Sequence, residues 1–273
     1  MSSSLIFDLN CVTLRARDNN LRFLSELKIA KGEKVAIVGS DVEYRKSLMR
    51  VLSGLEAPKS GQIQVDGENV PCREDRDPWR DIFSKNFRRK IGISLQSDAL
   101  ISNVSIGECF ETLFRFKYGD HNDGLKQGAI RVPREVAASL GMPLECLDKR
   151  PAELNPLEKR LASLCLAFLT KPSILMMDNP SYSLDDEAWS YLDAAIAKLI
   201  QGTQKTLILS TADWILADSL CDRWVVLEDG KMVFDGHKAG YRKNFRSHFV
   251  QQLETERWKK IKKTIKDLEI DVA

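Results

Sequence analysis

The chain has 273 residues, 43% hydrophobic and 29% charged, enough for one large α/β domain with a tail or for two modest domains. A net charge of +2 excludes a general pull toward nucleic acid, and no apolar run reaches the ~18 residues of a membrane span. The N-terminal "MSSSLIFDLN" lacks a basic segment and a long apolar core, so no signal peptide is read. The six scattered cysteines, without a CxxC pair, fit reduced thiols of a cytosolic protein, and the three histidines share no metal-ligand spacing.

In chain order, "LIFDLNCVTLRAR" alternates as a strand, and "LRFLSELKIAKGEKVAIVGS" reads as strand, turn, strand. A helical run, "SLMRVLSGL", follows. "SGQIQVDGENV" is a strand ending in a turn at Asp66-Gly67, and "RRKIGISLQ" is another short strand. From about Asp98 to Leu169 the pattern is helical, with breaks at "YGDHNDG" and "LGMPLE". "SILMMDNP" (Ser173 to Pro180) is a short apolar run ending in acid, the mark of a central parallel strand. "DDEAWSYLDAAIAKLI" is helical, while "QKTLILST" and "DRWVVLEDGKMVFDG" are strands. Strands alternating with helices predict an α/β fold with a mostly parallel sheet. From Tyr241 the composition changes to a charged helix, which places a boundary near Gly240. Residues 1–240 are expected to form the main domain, with a helical subdomain at about 98–169, and 241–273 a C-terminal amphipathic helix.

In the stretch "VGSDVEYRKSLMRVLSGL", the turn between the apolar run "KVAIVG" and the helical run "SLMRVLSGL" is where a phosphate loop would sit. The order of all these segments, from about Leu5 to Gly236, resembles the ATP-binding subunits of ABC transporters. The resemblance is carried by the Gly39 loop, "SGQIQVDG", "IGISLQ", "PAELNPLEKR", "KPSILMMDNPSYSLD", "LILSTAD" and "VVLEDGKMVFDG", in family order. It implies a P-loop NTPase-like ABC ATPase domain: a mostly parallel core sheet, an N-terminal antiparallel β part and an inserted helical subdomain.

The resemblance also implies functional motifs, most of which are altered here. A phosphate loop should read GxxxxGK[ST], with glycines for close backbone approach, a lysine for the outer phosphates and a hydroxyl for Mg²⁺. Gly39 is kept, but Tyr44, Arg45 and Lys46 stand at the second glycine, the lysine and the hydroxyl, followed by Ser47. Arginine keeps the charge as a planar fork, not a compact ammonium. Val42 and Tyr44 add bulk and disfavour positive φ. The adenine-stacking position is Ala16; Phe23 lies nearby and is expected in the core. Asp178 keeps the Mg²⁺-side carboxylate, but Asn179 stands where a catalytic Glu is implied and Ala212 where a switch His is implied, so no intact catalytic residue is read. The signature LSGGQ becomes Leu154, Asn155, Pro156, Leu157 and Glu158, with proline lacking an N–H and glutamate repelling phosphate. Gln96 matches the Q-loop, whose groove receives a membrane subunit in the family, and "SLDD" (Ser183 to Asp186) matches the dimer-contacting D-loop.

The expectation is a catalytically impaired subunit with no ATP or only weak ATP, Mg²⁺ unlikely and no metal site. It would dock on a membrane permease at the inner face of the cytoplasmic membrane and pair with a second ABC subunit, as homo- or heterodimer, without nucleic acid. A cytosolic scaffold on the same fold and a divergent active ATPase stay as alternatives. In the tail, Phe249, Leu253, Trp258, Ile261, Ile265 and Leu268 make an imperfect apolar stripe beside Lys259, Lys260, Lys262, Lys263 and Lys266. A local brace, packing on a partner subunit and lying on an acidic membrane remain open, and a contribution to subunit association is expected.

Overall fold

The computed structural model describes residues 4–15, 20–70, 87, 90–95, 100–118, 132–169, 171–200 and 202–244. Two sheets carry the fold. The first is antiparallel, in the order β2-β1-β4-β5, from β1 (Leu5–Arg15), β2 (Leu21–Ala30), β4 (Ser60–Val65) and β5 (Glu68–Val70). The second has six strands in the order β10-β9-β3-β8-β7-β6. Here β3 (Lys34–Val38), β6 (Ile91–Ser94), β7 (Ile174–Asp178), β8 (Thr206–Ser210) and β9 (Arg223–Glu228) run parallel, and β10 (Lys231–His237) closes one edge antiparallel.

The parallel strands are continuous apolar runs because both of their faces are covered. All five residues of β7 and of β8 are buried. Side chains alternate between two cores. Val35, Ile37, Ile174, Met176 and Ile208 pack with helix α1 (Val42–Leu52) and the antiparallel sheet. Ala36, Val38, Leu175, Met177, Leu207 and Leu209 pack with the other helices. Each fully buried Leu or Ile stabilises by roughly 2 kcal/mol.

The neighbouring strands β6 and β7 are separated in the chain by a helical insertion: α2 (Ile106–Tyr118), α3 (132–139), two 3₁₀ turns (Leu144–Asp148, Pro151–Glu153) and α4 (Pro156–Leu169). Then come α5 (Asp186–Ile200), α6 (Trp214–Leu220) and α7 (Lys238–Asn244). Helix α7 crosses residue 240. Its Tyr241 is 1% exposed and stacks on Trp214, ring centroids 5.3 Å apart, with Trp224 at 5.7 Å and Phe234 at 5.2 Å.

One core assignment is corrected. Phe23 is 54% exposed. The inward positions of β2 are Leu24, Leu27 and Ile29, so Phe23 falls on the outer face. Gln96, Ala16 and the amphipathic stripe from Phe249 onward lie outside the described residues.

Candidate functional site

Helices α1, α5 and α6 follow parallel strands, so their N-termini gather at the carboxyl edge of the sheet, where ligands bind in such folds. Each is capped by an aspartate of its own: Asp41 takes the Tyr44 N–H at 3.0 Å, Asp185 the Ala188 N–H at 2.8 Å, and Asp213 the Ile215 N–H at 3.0 Å.

The loop after β3 begins at Gly39, whose φ is +126°. A Cβ there would lie 2.0 Å from the Leu227 carbonyl oxygen, so only glycine lets the loop lie against β9. Among the described residues of the loop it alone has positive φ. Val42 and Tyr44 sit in regular helix, and the expected conflict of their side chains with positive φ does not arise. Tyr44 is instead fully buried, and its phenol donates to the Phe23 carbonyl at 2.7 Å. Burial pushes its phenol above the ordinary range.

Arg45 is 2% exposed, and among the described residues its Nε has no hydrogen-bond partner. Burial lowers its pKa, while the charges of Asp178 and Asp41 oppose that shift. Lys46 pairs with Glu43 at 3.8 Å. The hydroxyl of Ser47, the residue after Lys46, donates to the backbone carbonyl of Glu43 at 2.8 Å, with that of Arg15 at 3.2 Å.

Asp178 ends β7, 8% exposed, and accepts the Ser210 hydroxyl at 2.9 Å. Burial raises its pKa, opposed by the Ser210 bond and by Arg45, Lys46 and Arg160. Asn179 follows with φ +47°, a conformation asparagine tolerates better than most residues; its N–H donates to the Ser210 carbonyl at 2.7 Å. Ala212 is exposed and offers no titratable group. Arg160, absent from the sequence reading, is 6% exposed and its guanidinium donates to the Leu95 carbonyl at 3.0 Å, next to the Q-loop position.

At the start of α4, Asn155 and Glu158 form a reciprocal capping box: Asn155 Oδ1 takes the Glu158 N–H and Glu158 Oε2 takes the Asn155 N–H, both at 2.8 Å. Glu158 also accepts the Cys146 thiol at 3.3 Å and meets Lys149 at 3.4 Å. These contacts, the Asn155 N–H first, hold its pKa below the usual glutamate value. Burial and the bond to Glu158 push the Cys146 thiol up to about 11. Pro156, Leu157, Ser183, Leu184 and Tyr191 line a cleft of about 370 Å³ between this helix start and the "SLDD" turn.

A model of the ABC transporter family matches residues 24–182, more than half of the chain. This protein belongs to the ABC transporter family. Among relatives of the family, it is 30% identical over 206 residues to the Fe(3+) ions import ATP-binding protein FbpC of Mesorhizobium japonicum, covering 76% of this chain and 53% of FbpC. It is 28% identical over 232 residues to the thiamine import ATP-binding protein ThiQ of Jannaschia sp., covering 85% of this chain and 93% of ThiQ. The chain thus spans little more than half the length of FbpC, and likewise 56% of the choline transport ATP-binding protein OpuBA of Bacillus subtilis. In three dimensions it resembles the dimeric structure of MJ0796, a bacterial ABC transporter cassette, with TM-score 0.71 and 22% identity over 85% of this chain and 98% of that one. CbiO1 of Clostridium perfringens, part of the ABC transporter complex cbiONQ, gives 0.70 and 19% over 93% and 96%. These ABC cassettes share the fold: parallel core sheet, antiparallel β part and helical insertion. Among the described residues no helix is long and apolar enough to cross a membrane.

Proposed function

We propose that this chain is a catalytically impaired ABC subunit that serves a transporter by docking and pairing rather than by hydrolysing ATP. The observation that carries this reading is the company of Asp178. The charged groups bearing on it are Arg45, Lys46 and Arg160, all cationic. The adjoining positions hold Asn179 and Ala212, neither of which can take a proton from an attacking water. In this reading the residues do not fit ATP with magnesium: Lys46 puts a cation where the hydroxyl should be, the Ser47 hydroxyl is turned to the Glu43 and Arg15 carbonyls, and Tyr44 fills the place of a glycine.

The relatives' names support the transport context, since they denote import or transport ATP-binding proteins, and a dimeric cassette among the structural neighbours supports pairing. A membrane permease and a second ABC subunit are therefore the proposed partners, with the chain peripheral on the cytoplasmic face. Two measurements test this. Purified full-length chain should release no phosphate from MgATP; turnover that disappears in Asp178→Ala would defeat the reading. The native complex, isolated in detergent, should contain a multi-spanning membrane protein, and its absence would favour a cytosolic scaffold.

A further inference from the structure

The Asp41 carboxylate is the hub of the loop after β3. Its Oδ1 accepts the Tyr44 N–H at 3.0 Å. Its Oδ2 accepts the Arg22 Nε–H at 2.9 Å and the Gly230 N–H at 3.0 Å. One anion thus joins three elements: the first turn of α1, strand β2, and the turn between β9 and β10. The Asp41 and Arg22 side chains are only 11% and 14% exposed. The donors are a helix N-terminal amide, a guanidinium and a turn amide, the kind of set that receives a phosphate oxygen. Here they are spent on a carboxylate of the chain itself.

We propose that Asp41 is a built-in anion that holds this loop closed to phosphate groups. It excludes them in two ways. A phosphate must displace three hydrogen bonds that are already made, and it must compete with the carboxylate for the Arg22 guanidinium, which that carboxylate already neutralises in a partly buried site. The loop has little room to withdraw. At Gly39 it lies against the Leu227 carbonyl, and on the other side Tyr44 bonds to the Phe23 carbonyl. The buried Arg45, with its Nε unpartnered among the described residues, lies in the field of Asp41 and Asp178 and counters their charge without a bound ligand. The inference deepens the proposed loss of turnover and rests on the same site, yet it makes a separate claim: the block begins at binding.

The test uses the full-length chain with two probes, inorganic pyrophosphate and MgATP, followed by calorimetry and thermal melting. The wild type should show no saturable heat and no ligand-dependent rise in melting temperature at about 1 mM of either probe. Asp41→Ser and Asp41→Asn both keep an N-cap and remove the charge, so at least the asparagine variant should fold. Both should gain pyrophosphate affinity by about tenfold or more. A gain for MgATP alone would place the new affinity in the nucleoside, and would overturn the claim for the phosphate. Folded variants that stay silent toward both probes would also overturn it. So would unfolding of both variants, because the carboxylate would then be a strut of the fold. Saturable nucleotide binding by the wild type without hydrolysis would overturn this inference while leaving the impaired-subunit reading in place.

Discussion

Asn155 and Glu158 satisfy each other's backbone N–H groups across the first turn of α4. The same turn carries Pro156, so the helix starts with one N–H fewer to satisfy, and Lys159 N–H donates to the Asn155 carbonyl at 3.0 Å. Glu158→Ala should cost about 1 kcal/mol of stability, and Glu158→Gln much less, since glutamine still closes the box. The folded pKa of Glu158 lies below its ordinary value, so its charged contribution is present above the usual glutamate range and is lost as pH falls through the folded value. Melting curves of wild type and Glu158→Gln should therefore differ near neutral pH and converge in acid. A difference that grows on acidification would mean that the fold favours the protonated Glu158.

Tyr44 fastens α1 to β2. Tyr44→Phe removes the bond to the Phe23 carbonyl and should cost about 1 kcal/mol in chemical denaturation. Tyr44→Gly, which restores the family residue, leaves a cavity in the core and a glycine in a helix. It should cost roughly 4 kcal/mol, and a neutral result would mean that the ring is not packed as described.

Placing a glutamate back at position 179 meets the backbone first. Asn179 has φ +47°, where a longer side chain is less at ease, so Asn179→Glu should lower stability by about 1 kcal/mol. It should release no phosphate from MgATP, because groups that act as a unit are not rescued singly and the loop after β3 is unchanged. Robust turnover in this single variant would refute the reading of that loop.

The strands were legible because both faces of the parallel sheet are covered, leaving runs such as "ILMMD" that no amphipathic helix would show. Helix α1 was legible only in its second half, as "SLMRVLSGL"; its start at Val42 falls in the stretch read as a turn. Phe23 was not: size and hydrophobicity do not tell which face of a strand a residue takes, and β2 departs from strict alternation between Leu24 and Leu27. Asp41 was not read from the sequence, either as the cap of α1 or as a hub. Its other partners are Arg22, 19 residues earlier, and Gly230, 189 residues later, and only the fold brings them together. Arg160 was hidden for the same reason, since its partner carbonyl at Leu95 is 65 residues away.

Helix α7 runs past the composition change at Gly240. Tyr241 is enclosed by Trp214, Trp224 and Phe234, and Arg242 sits over the Trp224 ring at 5.8 Å. Two truncations separate this anchor from the charged tail. A chain ending at Asn244 keeps the anchor and should melt close to the full-length protein. A chain ending at Gly240 loses the aromatic ring and should be destabilised by roughly 3–5 kcal/mol, the cost of emptying such a site. With the fold intact, the 244 truncation then isolates the contribution of residues 245–273 to assembly. We expect weaker recovery of the native complex from this variant, measured against full-length chain at equal expression. Equal recovery would make the tail a local brace, and equal stability of the two truncations would remove Tyr241 from the core of the domain.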